Sequence, residues 1–344
     1  MTKTVVISAG GSGGHLLLAQ KIGRALKDSY RVIYMGVHLH NNKFLYEKED
    51  AISVEGANFS KGVWQGLKEI GKGCKEARSS LGRLKADHVI GLGSFHSLPP
   101  LCAAFYLGIP FSLVEPNIYP GKVNRFLAAF AKKTFIQFPG AKEYLPGKTC
   151  QVTLEEKRKT ASKKEARAFF GLNENTPTLL IFGGSQGADA INKLALSAIE
   201  SLPKPLQVLH FTGSETNLKE EYDRCGIPSF VTPFCQEMEL AWTAADIAIC
   251  RAGASSIAEL LFYEVPSLLI PFPKAMDDHQ TKNARYVESF GAVFVEAEHE
   301  MTKEKFCDKV SELLKNQEEM QETIKFHKGI IEAPPLIEAI KGIL

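Results

Sequence analysis

The stretch V-V-I-S-A-G-G-S-G-G-H at residues 5–15 and the stretch L-L-I-F-G-G-S-Q-G at 179–187 decide the fold of this chain. Each begins with an apolar run typical of a parallel strand, followed by a glycine turn that opens a helix. Glycines let the backbone approach an anion closely, and a helix N-terminus offers N–H groups and a partial positive charge. Two such units about half a chain apart predict an α/β protein with two Rossmann-like, doubly wound parallel-sheet domains that face one phosphorylated ligand across a cleft.

Short apolar runs alternate with helical patterns, and most are continuous, as is typical of parallel strands covered by helices on both faces. A charged stretch at 155–167 interrupts the alternation. The pattern predicts one domain over 1–155, a second over 164–333, and a final helix at 336–344 that returns to the first domain. The predicted strands are Thr4–Ser8, Arg31–Met35, His88–Leu92, Phe111–Val114, Thr134–Gln137, Thr178–Phe182, Gln207–Phe211, Ser229–Thr232, Ile247–Cys250, Ser267–Ile270 and Ala292–Val295.

The composition limits the classes of function. The 344 residues are 44% hydrophobic, which is enough for two cores, and 41 basic against 39 acidic residues leave a net charge of +2. Nucleic-acid binding through bulk charge is therefore not expected. The 7 cysteines form no C-x-x-C pair, so neither a disulfide framework nor a zinc site is predicted. Prolines interrupt the apolar segment 98–114 and a strand begins near residue 4, so neither a membrane span nor a signal peptide is expected.

The glycine loops do not fit the common nucleotide motifs. A dinucleotide-binding domain normally carries an acidic residue at the end of its second strand, and this chain has Y-M-G-V-H at 34–38 instead. No G-K-[ST] follows either glycine cluster, so a P-loop is excluded as well.

A more specific pattern lies in the second half of the chain. The sequence D-I-A-I-C-R-A-G-A-S-S-I-A-E at 246–259 predicts a buried strand, a turn of small residues and the start of a helix. A carboxylate at Glu259 can accept both hydroxyls of a ribose, or it can simply complement the helix dipole. Further on, His279, Gln280 and Asn283 follow a predicted strand and suit sugar hydroxyls, although one of them can instead cap the next helix.

At these motifs the chain resembles the GT-B glycosyltransferases, and in particular the bacterial family that transfers GlcNAc from UDP-GlcNAc to undecaprenyl-diphosphate-linked MurNAc-pentapeptide. That reaction is the lipid I to lipid II step of peptidoglycan synthesis. The resemblance covers nearly the whole chain, and the order and spacing of its landmarks are more specific than any one of them. The landmarks are G-G-S-G-G-H at 10–15, G-L-G-S-F at 91–95, E-P-N at 115–117 with Asn124 beyond it, F-P-G-A at 138–141, G-G-S-Q-G-A at 183–188, C-R-A-G-A at 250–254 and D-H-Q-T-K-N-A at 278–284.

The resemblance implies roles for individual residues. It makes the first domain the acceptor and membrane domain, and the second the UDP-GlcNAc domain. Uridine and ribose contacts fall on Phe234, Cys235 and Glu259, and diphosphate contacts fall on Ser185, Ala254, Ser255, Ser256 and Ile257. GlcNAc contacts fall on Asn117, His279 and Gln280, while Ser12, Gly13 and Gly14 line the cleft and Asn124 completes the substrate-binding set.

The chain departs from the family pattern in several places. The family's G-N-P-x-R segment is replaced by V-T-L-E-E-K-R at 152–158, where Arg158 or Lys157 is the candidate for the family's arginine contact. The family's H-E-Q-N reads V-E-P-N at 114–117, and L-L-L at 16–18 replaces the proline that follows the first histidine. The donor-binding residues remain, so the departures concern the acceptor side.

The implied mechanism needs neither a cofactor nor a metal ligand from the protein. Helix N-termini and glycine-loop N–H groups can stabilise the diphosphate as the anomeric bond breaks. His15 is the candidate general base for the acceptor hydroxyl, because an imidazole titrates near working pH. The alternative is that His15 only donates a hydrogen bond to a diphosphate. An α-linked donor and a β-linked family product imply inversion by direct displacement.

The stretch 61–85 combines basic and apolar residues and suits an anionic lipid surface. Its alternative interpretation is a solvated helix that covers the sheet, and its glycines weaken a regular helix. The lipid-linked acceptor implies a peripheral protein at the cytoplasmic face of the bacterial inner membrane, with wall-synthesis proteins as candidate partners. The basic residues are Lys61, Lys68, Lys72, Lys75, Arg78, Arg83 and Lys85, against the acidic Glu69 and Glu76.

Other functions remain open at this point. The chain can be a GT-B transferase with a different acceptor, or a UDP-GlcNAc epimerase, for which Glu115 is the obvious acid/base carboxylate. A non-catalytic UDP-GlcNAc-binding subunit is the third alternative, although such a subunit would have no need of the first glycine loop.

Overall fold

The computed structural model describes residues 2–10, 13–41, 45, 50–56, 63–154, 161–184, 187–214 and 216–344. The chain divides into two compact units. Unit 1 comprises Met1–Glu155 and Ala333–Leu344, and unit 2 comprises Glu156–Glu332.

Unit 1 is built on a seven-stranded parallel sheet with the order β3-β2-β1-β4-β5-β6-β7. Its strands are β1 Thr4–Ser8, β2 Arg31–Val37, β3 Ala51–Val54, β4 His88–Gly91, β5 Phe111–Glu115, β6 Lys133–Ile136 and β7 Thr149–Gln151. Its helices are α1 Gly13–Leu26, α2 Val63–Leu84, α3 Leu98–Leu107, α4 Lys122–Leu127 and, from the end of the chain, α13 Leu336–Lys341.

The two faces of this sheet support separate cores, because successive residues of a strand point to opposite faces. Val6 of β1 packs in a core with Ala77 of α2 and with residues of α3. Ile7 packs on the other face with residues of α1, where Leu336 and the rest of α13 also lie. The chain returns to this face through a short parallel bridge between Thr153 and Pro335.

Helix α2 is continuous from Val63 to Leu84 despite its glycines. Gly73 is needed for packing, since a Cβ atom there would lie 1.9 Å from the carbonyl oxygen of Glu55. The helix does cover the sheet, because Ala77 and Leu81 lie in the core. None of the helices in the described residues combines the length and apolar character needed to cross a membrane.

Unit 2 contains a six-stranded parallel sheet with the order β10-β9-β8-β11-β12-β13. Its strands are β8 Thr178–Phe182, β9 Gln207–Phe211, β10 Ser229–Thr232, β11 Ile247–Cys250, β12 Ser267–Leu269 and β13 Val293–Val295. Its helices are α5 Lys163–Phe169, α6 Asp189–Ala198, α7 Leu218–Arg224, α8 Met238–Ala244, α9 Ala254–Tyr263, α10 His279–Glu288, α11 Lys303–Lys315 and α12 Gln317–His327.

The amino ends of the central strands of unit 2 are tied to α5 by Asp246. Its carboxylate accepts hydrogen bonds from the backbone N of Thr178 at 2.6 Å and from Lys163 Nζ at 2.6 Å. It also pairs with the guanidinium of Arg167, which is buried. This anchoring leaves the carboxyl ends of the strands, at the opposite edge of the sheet, to carry loops.

The predicted fold class, with two parallel-sheet domains, is confirmed, and every predicted strand is present with small shifts at its ends. Strands β3 and β7 were not predicted. Both are short strands at the edges of the first sheet, and their middle residues are only half-buried. A short, half-buried edge strand does not require the continuous apolar run by which the other strands were recognised.

Two buried histidines make the stability of the fold depend on pH. Burial lowers the pKa of His88 in β4 to about 4 and the pKa of His210 in β9 to about 3. Both pKa values lie below the ordinary histidine value of about 6.5, so as the pH falls these two histidines take up protons in the unfolded chain before they do so in the folded one. The stabilisation is complete above about pH 6.5 and is lost between that pH and the folded-state pKa of each ring, by about 1.4 kcal/mol per pH unit for each histidine.

We expect the Tm to be lower at pH 5 than at pH 7, as measured by calorimetry. His88→Gln and His210→Gln should each reduce this pH dependence, whereas His299→Gln, at an exposed position, should leave it unchanged. The same pH dependence in all three variants would show that these two buried rings are not its source.

Candidate functional site

The loops at the carboxyl ends of β8 to β12 lie along one edge of the second sheet, because all the strands are parallel. Open α/β sheets bind ligands at this edge. These loops and the helices α9 and α10 that follow two of them carry the predicted donor-binding residues of unit 2. Ser185 belongs to the first of them but lies outside the described residues.

The loop after β8 has a backbone that requires glycine. Gly184 and Gly187 have φ values of +88° and +72°, in the left-handed region that side chains disfavour. A Cβ atom at Gly183 would lie 2.3 Å from the backbone N of Ala188. At Gly187 it would lie 2.5 Å from the carbonyl oxygen of Thr212. The loop therefore packs tightly against the end of β9.

A buried chain of hydrogen bonds holds this loop contact in place. Asn192 of α6 donates from Nδ2 to the carbonyl oxygen of Thr212 at 2.9 Å. Its Oδ1 accepts from Nε2 of His210 at 3.0 Å, and Nδ1 of His210 accepts from the Tyr222 hydroxyl at 3.1 Å. Because burial lowers the pKa of His210 to about 3, the ring is neutral and each bond has one direction. This network was not predicted from the sequence.

The turn after β11 presents the N-terminus of α9. Gly253 is the N-cap and provides no side-chain capping bond, and Ile257 makes the first backbone bond of the helix, to the Gly253 carbonyl at 3.0 Å. The N–H groups of Ala254, Ser255 and Ser256 precede it, and an α-helix has no internal acceptor for its first N–H groups. Such a terminus suits a diphosphate.

Glu259 is the sixth residue of α9, beyond its first turn. The influence of the helix dipole falls off within that turn, so the alternative role of dipole complementation does not apply. Its Oε2 accepts a hydrogen bond from Nε1 of Trp242 in α8 at 2.8 Å. The half-buried carboxylate is therefore held in a defined orientation.

The loop after β12 is organised by two of the predicted sugar contacts. Gln280 Oε1 accepts from the backbone N of Phe272 at 2.9 Å. His279 Nδ1 lies 2.7 Å from the carbonyl oxygen of Met276, which can only accept, so Nδ1 donates this hydrogen bond. The N-cap of α10 is Asp278, so neither of these residues caps the helix, and neither does the buried Asn283.

Arg251 is a structural residue of this edge for which no role was predicted from the sequence. Its buried guanidinium donates from Nη1 to the carbonyl oxygens of Ile270 at 3.1 Å and Pro271 at 3.2 Å. It also pairs with Glu298, which follows β13. Arg251 thus connects the ends of three neighbouring strands and supports the loop that leads into α10, where Gln280 lies.

The loop after β10 contains Phe234, whose ring is exposed, and Cys235, which is half-buried. Burial raises the pKa of the Cys235 thiol, so this cysteine is not activated as a nucleophile. Within the described ranges, no group of three His, Cys, Asp or Glu residues is arranged to hold a metal ion.

In unit 1, the first glycine loop runs from β1 into α1. Gly10 is required by packing, since a Cβ atom there would lie 2.7 Å from Cβ of His96. Gly13 and Gly14 begin α1, and His15 is its third residue and half-buried. His15 therefore lies near the carboxyl edge of the first sheet. Ser12 lies outside the described residues, as do Lys157 and Arg158.

Glu115, at the end of β5, organises the segment that follows it. Its buried carboxylate accepts from the backbone N of Asn117 at 2.9 Å and of Gly121 at 3.0 Å. It also accepts from the side chains of Asn117 at 3.2 Å and Asn124 at 2.9 Å. Burial raises the pKa of Glu115, and these hydrogen bonds oppose the rise.

Asn124 is completely buried and donates from Nδ2 to the carbonyl oxygen of Val114 at 3.1 Å as well as to Glu115. In this structure no part of the Asn124 side chain is accessible to a substrate. We therefore revise the predicted substrate contact of Asn124 to a positioning role for Glu115. Asn117 remains a predicted GlcNAc contact.

Comparisons with known proteins agree with this architecture. Residues 5–136 match the glycosyltransferase family 28 N-terminal domain, and residues 178–333 match the glycosyltransferase family 28 C-terminal domain. The crystal structure of Acinetobacter baumannii MurG has a TM-score of 0.81 at 26% identity, covering 99% of this chain and 98% of that one. The calicheamicin glycosyltransferase CalG4, at 12% identity and a TM-score of 0.73 over 99% and 97% of the two chains, shares the fold.

Curated relatives narrow the assignment. A protein of Protochlamydia amoebophila is 38% identical over 83% of this chain and 80% of its own length. One of Aquifex aeolicus is 34% identical over 93% of this chain and 95% of its own length. Both are named UDP-N-acetylglucosamine–N-acetylmuramyl-(pentapeptide) pyrophosphoryl-undecaprenol N-acetylglucosamine transferase. The chain belongs to this family of GT-B glycosyltransferases, as its glycine loops and the motifs of its second half predicted.

Proposed function

We propose that this protein transfers GlcNAc from UDP-GlcNAc to undecaprenyl-diphosphate-linked MurNAc-pentapeptide, with inversion at the anomeric carbon. The names of the relatives state these substrates. The observation that carries the proposal is the carboxyl edge of unit 2. There the N-terminus of α9, the oriented carboxylate of Glu259 and the loop held by Gln280 offer groups for diphosphate, ribose and sugar.

The proposed reaction is a single displacement. An acceptor hydroxyl oxygen attacks the anomeric carbon of GlcNAc, the bond from that carbon to the UDP oxygen breaks, and UDP leaves with the electron pair. N–H groups at the start of α9 stabilise the charge that develops on the diphosphate. His15 takes the proton of the acceptor hydroxyl, which is the role of a general base.

The epimerase alternative finds no support at Glu115. An epimerase needs a carboxylate that can exchange protons with the sugar. The Glu115 carboxylate is buried and accepts four hydrogen bonds from its own segment. A carboxylate held in this way shapes the segment that follows β5 and is not available to exchange protons with a sugar.

The proposed activity is tested with radiolabelled UDP-GlcNAc and a short-chain lipid-linked muramyl acceptor. We expect label in the disaccharide product, with little hydrolysis to free GlcNAc. If the label is released only as free GlcNAc, or remains in an epimerised nucleotide sugar, the lipid-linked muramyl compound is not the acceptor. Binding of UDP-GlcNAc with no turnover on any acceptor would support a binding subunit.

We also propose that unit 1 binds an anionic membrane surface through α2 and α3. Trp64 of α2 is 86% exposed, and the exposed apolar side chains near α3 and α4 include Phe105, Tyr106, Phe126 and Phe130. The rings of Phe105 and Phe130 lie 4.9 Å apart. Exposed aromatic groups of this kind are typical of a membrane or protein interface.

Cations adjoin this aromatic patch. A shallow, open surface groove is lined by Lys75, Arg78 and Arg83 together with Leu107, and Arg78 lies 4.2 Å from the centre of the Tyr106 ring. Lys72 is less suitable for lipid binding, because it pairs with Glu55 at 2.9 Å. We therefore centre the proposed lipid surface on the C-terminal half of α2.

We expect the Lys75→Glu/Arg83→Glu variant to bind phosphatidylglycerol vesicles at least about tenfold more weakly, because each cation near an anionic surface contributes about 1 kcal/mol. Wild-type binding should weaken toward roughly 0.5 M salt, which screens the attraction. Cosedimentation measures both effects. The control is Lys27→Glu/Lys315→Glu, which makes the same charge change at exposed positions elsewhere. Equal weakening by both variants would mean that net charge, and not this groove, determines the binding.

A further inference from the structure

Trp242 occupies a fixed position beside the proposed ribose site. Its side chain is only 1% exposed. The indole lies parallel to the Tyr263 ring at 6.5 Å and packs edge-on against Phe182 at 5.5 Å. Three elements therefore meet at this ring, namely α8, α9 and the end of β8. A ring confined in this way cannot turn its N–H to another direction without disturbing the core.

The confined indole N–H is aimed at Glu259. Nε1 of Trp242 lies 2.8 Å from Oε2 of the carboxylate. An indole nitrogen only donates, so the bond has one direction and one side of the carboxylate is committed to it. A half-buried glutamate otherwise has several rotamers, and fixing one of them costs conformational entropy. The hydrogen bond from Trp242 fixes the Glu259 rotamer during folding, so this entropy is lost before any ligand binds.

We infer that Trp242 determines the preference of this site for ribose over deoxyribose by holding the Glu259 carboxylate in the orientation that two adjacent hydroxyls require. The inference rests on the proposed function, in which Glu259 accepts the ribose hydroxyls. A site built to hydrogen-bond a hydroxyl rejects the analogue that lacks it, provided that the polar group of the site cannot turn away. Trp242 touches no substrate in this scheme, so it is a positioning residue.

The first test uses the wild-type protein. The chain has 2 tryptophans, so its ¹⁵N-indole spectrum contains two N–H signals. Trp64 is highly exposed in unit 1 and is the internal reference. Saturating UDP should shift the Trp242 signal and leave the Trp64 signal in place, and 2′-deoxyuridine 5′-diphosphate should shift the Trp242 signal less. Equal shifts with the two ligands would overturn the inference.

The second test uses Trp242→Phe, which keeps an aromatic ring against Tyr263 and Phe182 but removes the N–H. We expect the Kd for UDP, measured by calorimetry, to rise about tenfold, as for the loss of a hydrogen bond to a charged group. The ratio of the Kd values for the 2′-deoxy ligand and UDP should fall by a similar factor. Phe182→Leu loosens the packing around the same indole but leaves its N–H, so it should lower the ratio less than Trp242→Phe does.

The matched variant Glu259→Ala separates the two proposals. If it removes the ribose preference and Trp242→Phe keeps it, the inference about Trp242 is wrong and the ribose site stands. If Glu259→Ala also keeps the preference, the ribose assignment is wrong and the inference about Trp242 is wrong with it. Should Trp242→Phe fail to fold, equal shifts of the Trp242 signal with the two ligands in the wild-type spectra would still overturn the inference.

Discussion

Replacing His15 with alanine is expected to lower kcat by about 10²- to 10⁴-fold while UDP-GlcNAc binding changes little. His15 is the third residue of α1 and follows the first glycine loop, at the carboxyl edge of the first sheet. A general base acts on the acceptor hydroxyl in the transition state, so its loss affects turnover more than donor affinity. Steady-state kinetics with the lipid-linked acceptor and calorimetry with UDP-GlcNAc measure the two quantities.

The variant His15→Gln separates the two roles that remain for this side chain. Glutamine can donate a hydrogen bond to a diphosphate but cannot act as a base near neutral pH. If His15 is the base, His15→Gln should be as slow as His15→Ala. A kcat for His15→Gln within about tenfold of the wild-type value would instead favour the diphosphate contact. His299→Ala, at an exposed position in unit 2, is the control and should retain full activity.

Replacing Glu259 with alanine is expected to weaken UDP binding about 30- to 150-fold, which corresponds to about 2–3 kcal/mol. The variant loses a charge-assisted pair of bonds to the ribose, and it also leaves the buried N–H of Trp242 without its carboxylate acceptor. Calorimetry with UDP measures the change directly. The ribose is common to UDP and UDP-GlcNAc, so both ligands should lose a similar factor.

A glutamate elsewhere in unit 2 provides the control for this variant. Glu288 of α10 pairs with Arg285 on the same helix, and removing an ion pair of this kind changes little. Glu288→Ala should therefore bind UDP like the wild type. An unchanged Kd in Glu259→Ala would remove Glu259 from the proposed site, whereas equal losses in both variants would point to a general effect on unit 2.

The central strands were predictable because their information is local. Strands β1 and β8 have five buried residues each, a run of consecutive apolar residues fills the middle of β1 and most of β8, and a glycine turn follows both. Periodicity and turn chemistry are properties of contiguous residues. The middle residues of the edge strands β3 and β7 are only half-buried, so these residues are less constrained and the pattern is weak.

The candidate site was predictable only in part. Glu259, His279 and Gln280 lie in motifs where residue type and spacing suggested their chemistry, and the structure places them along one edge of the second sheet. Asn124 lies in such a motif too, yet it is buried against Glu115. Burial depends on which elements pack over a residue, and spacing within a motif does not report that.

The sequence by itself determined the two parallel-sheet domains, the glycine turns and the residue types available at their edges, because each depends on neighbours along the chain. Only the tertiary structure decided which groups act together. Trp242 and Glu259 lie on different helices, and Asn192, His210 and Tyr222 come from three separate elements. Hydrogen-bond partners of this kind are set by the packing of helices on a sheet, and no local pattern records the direction in which a buried N–H will point.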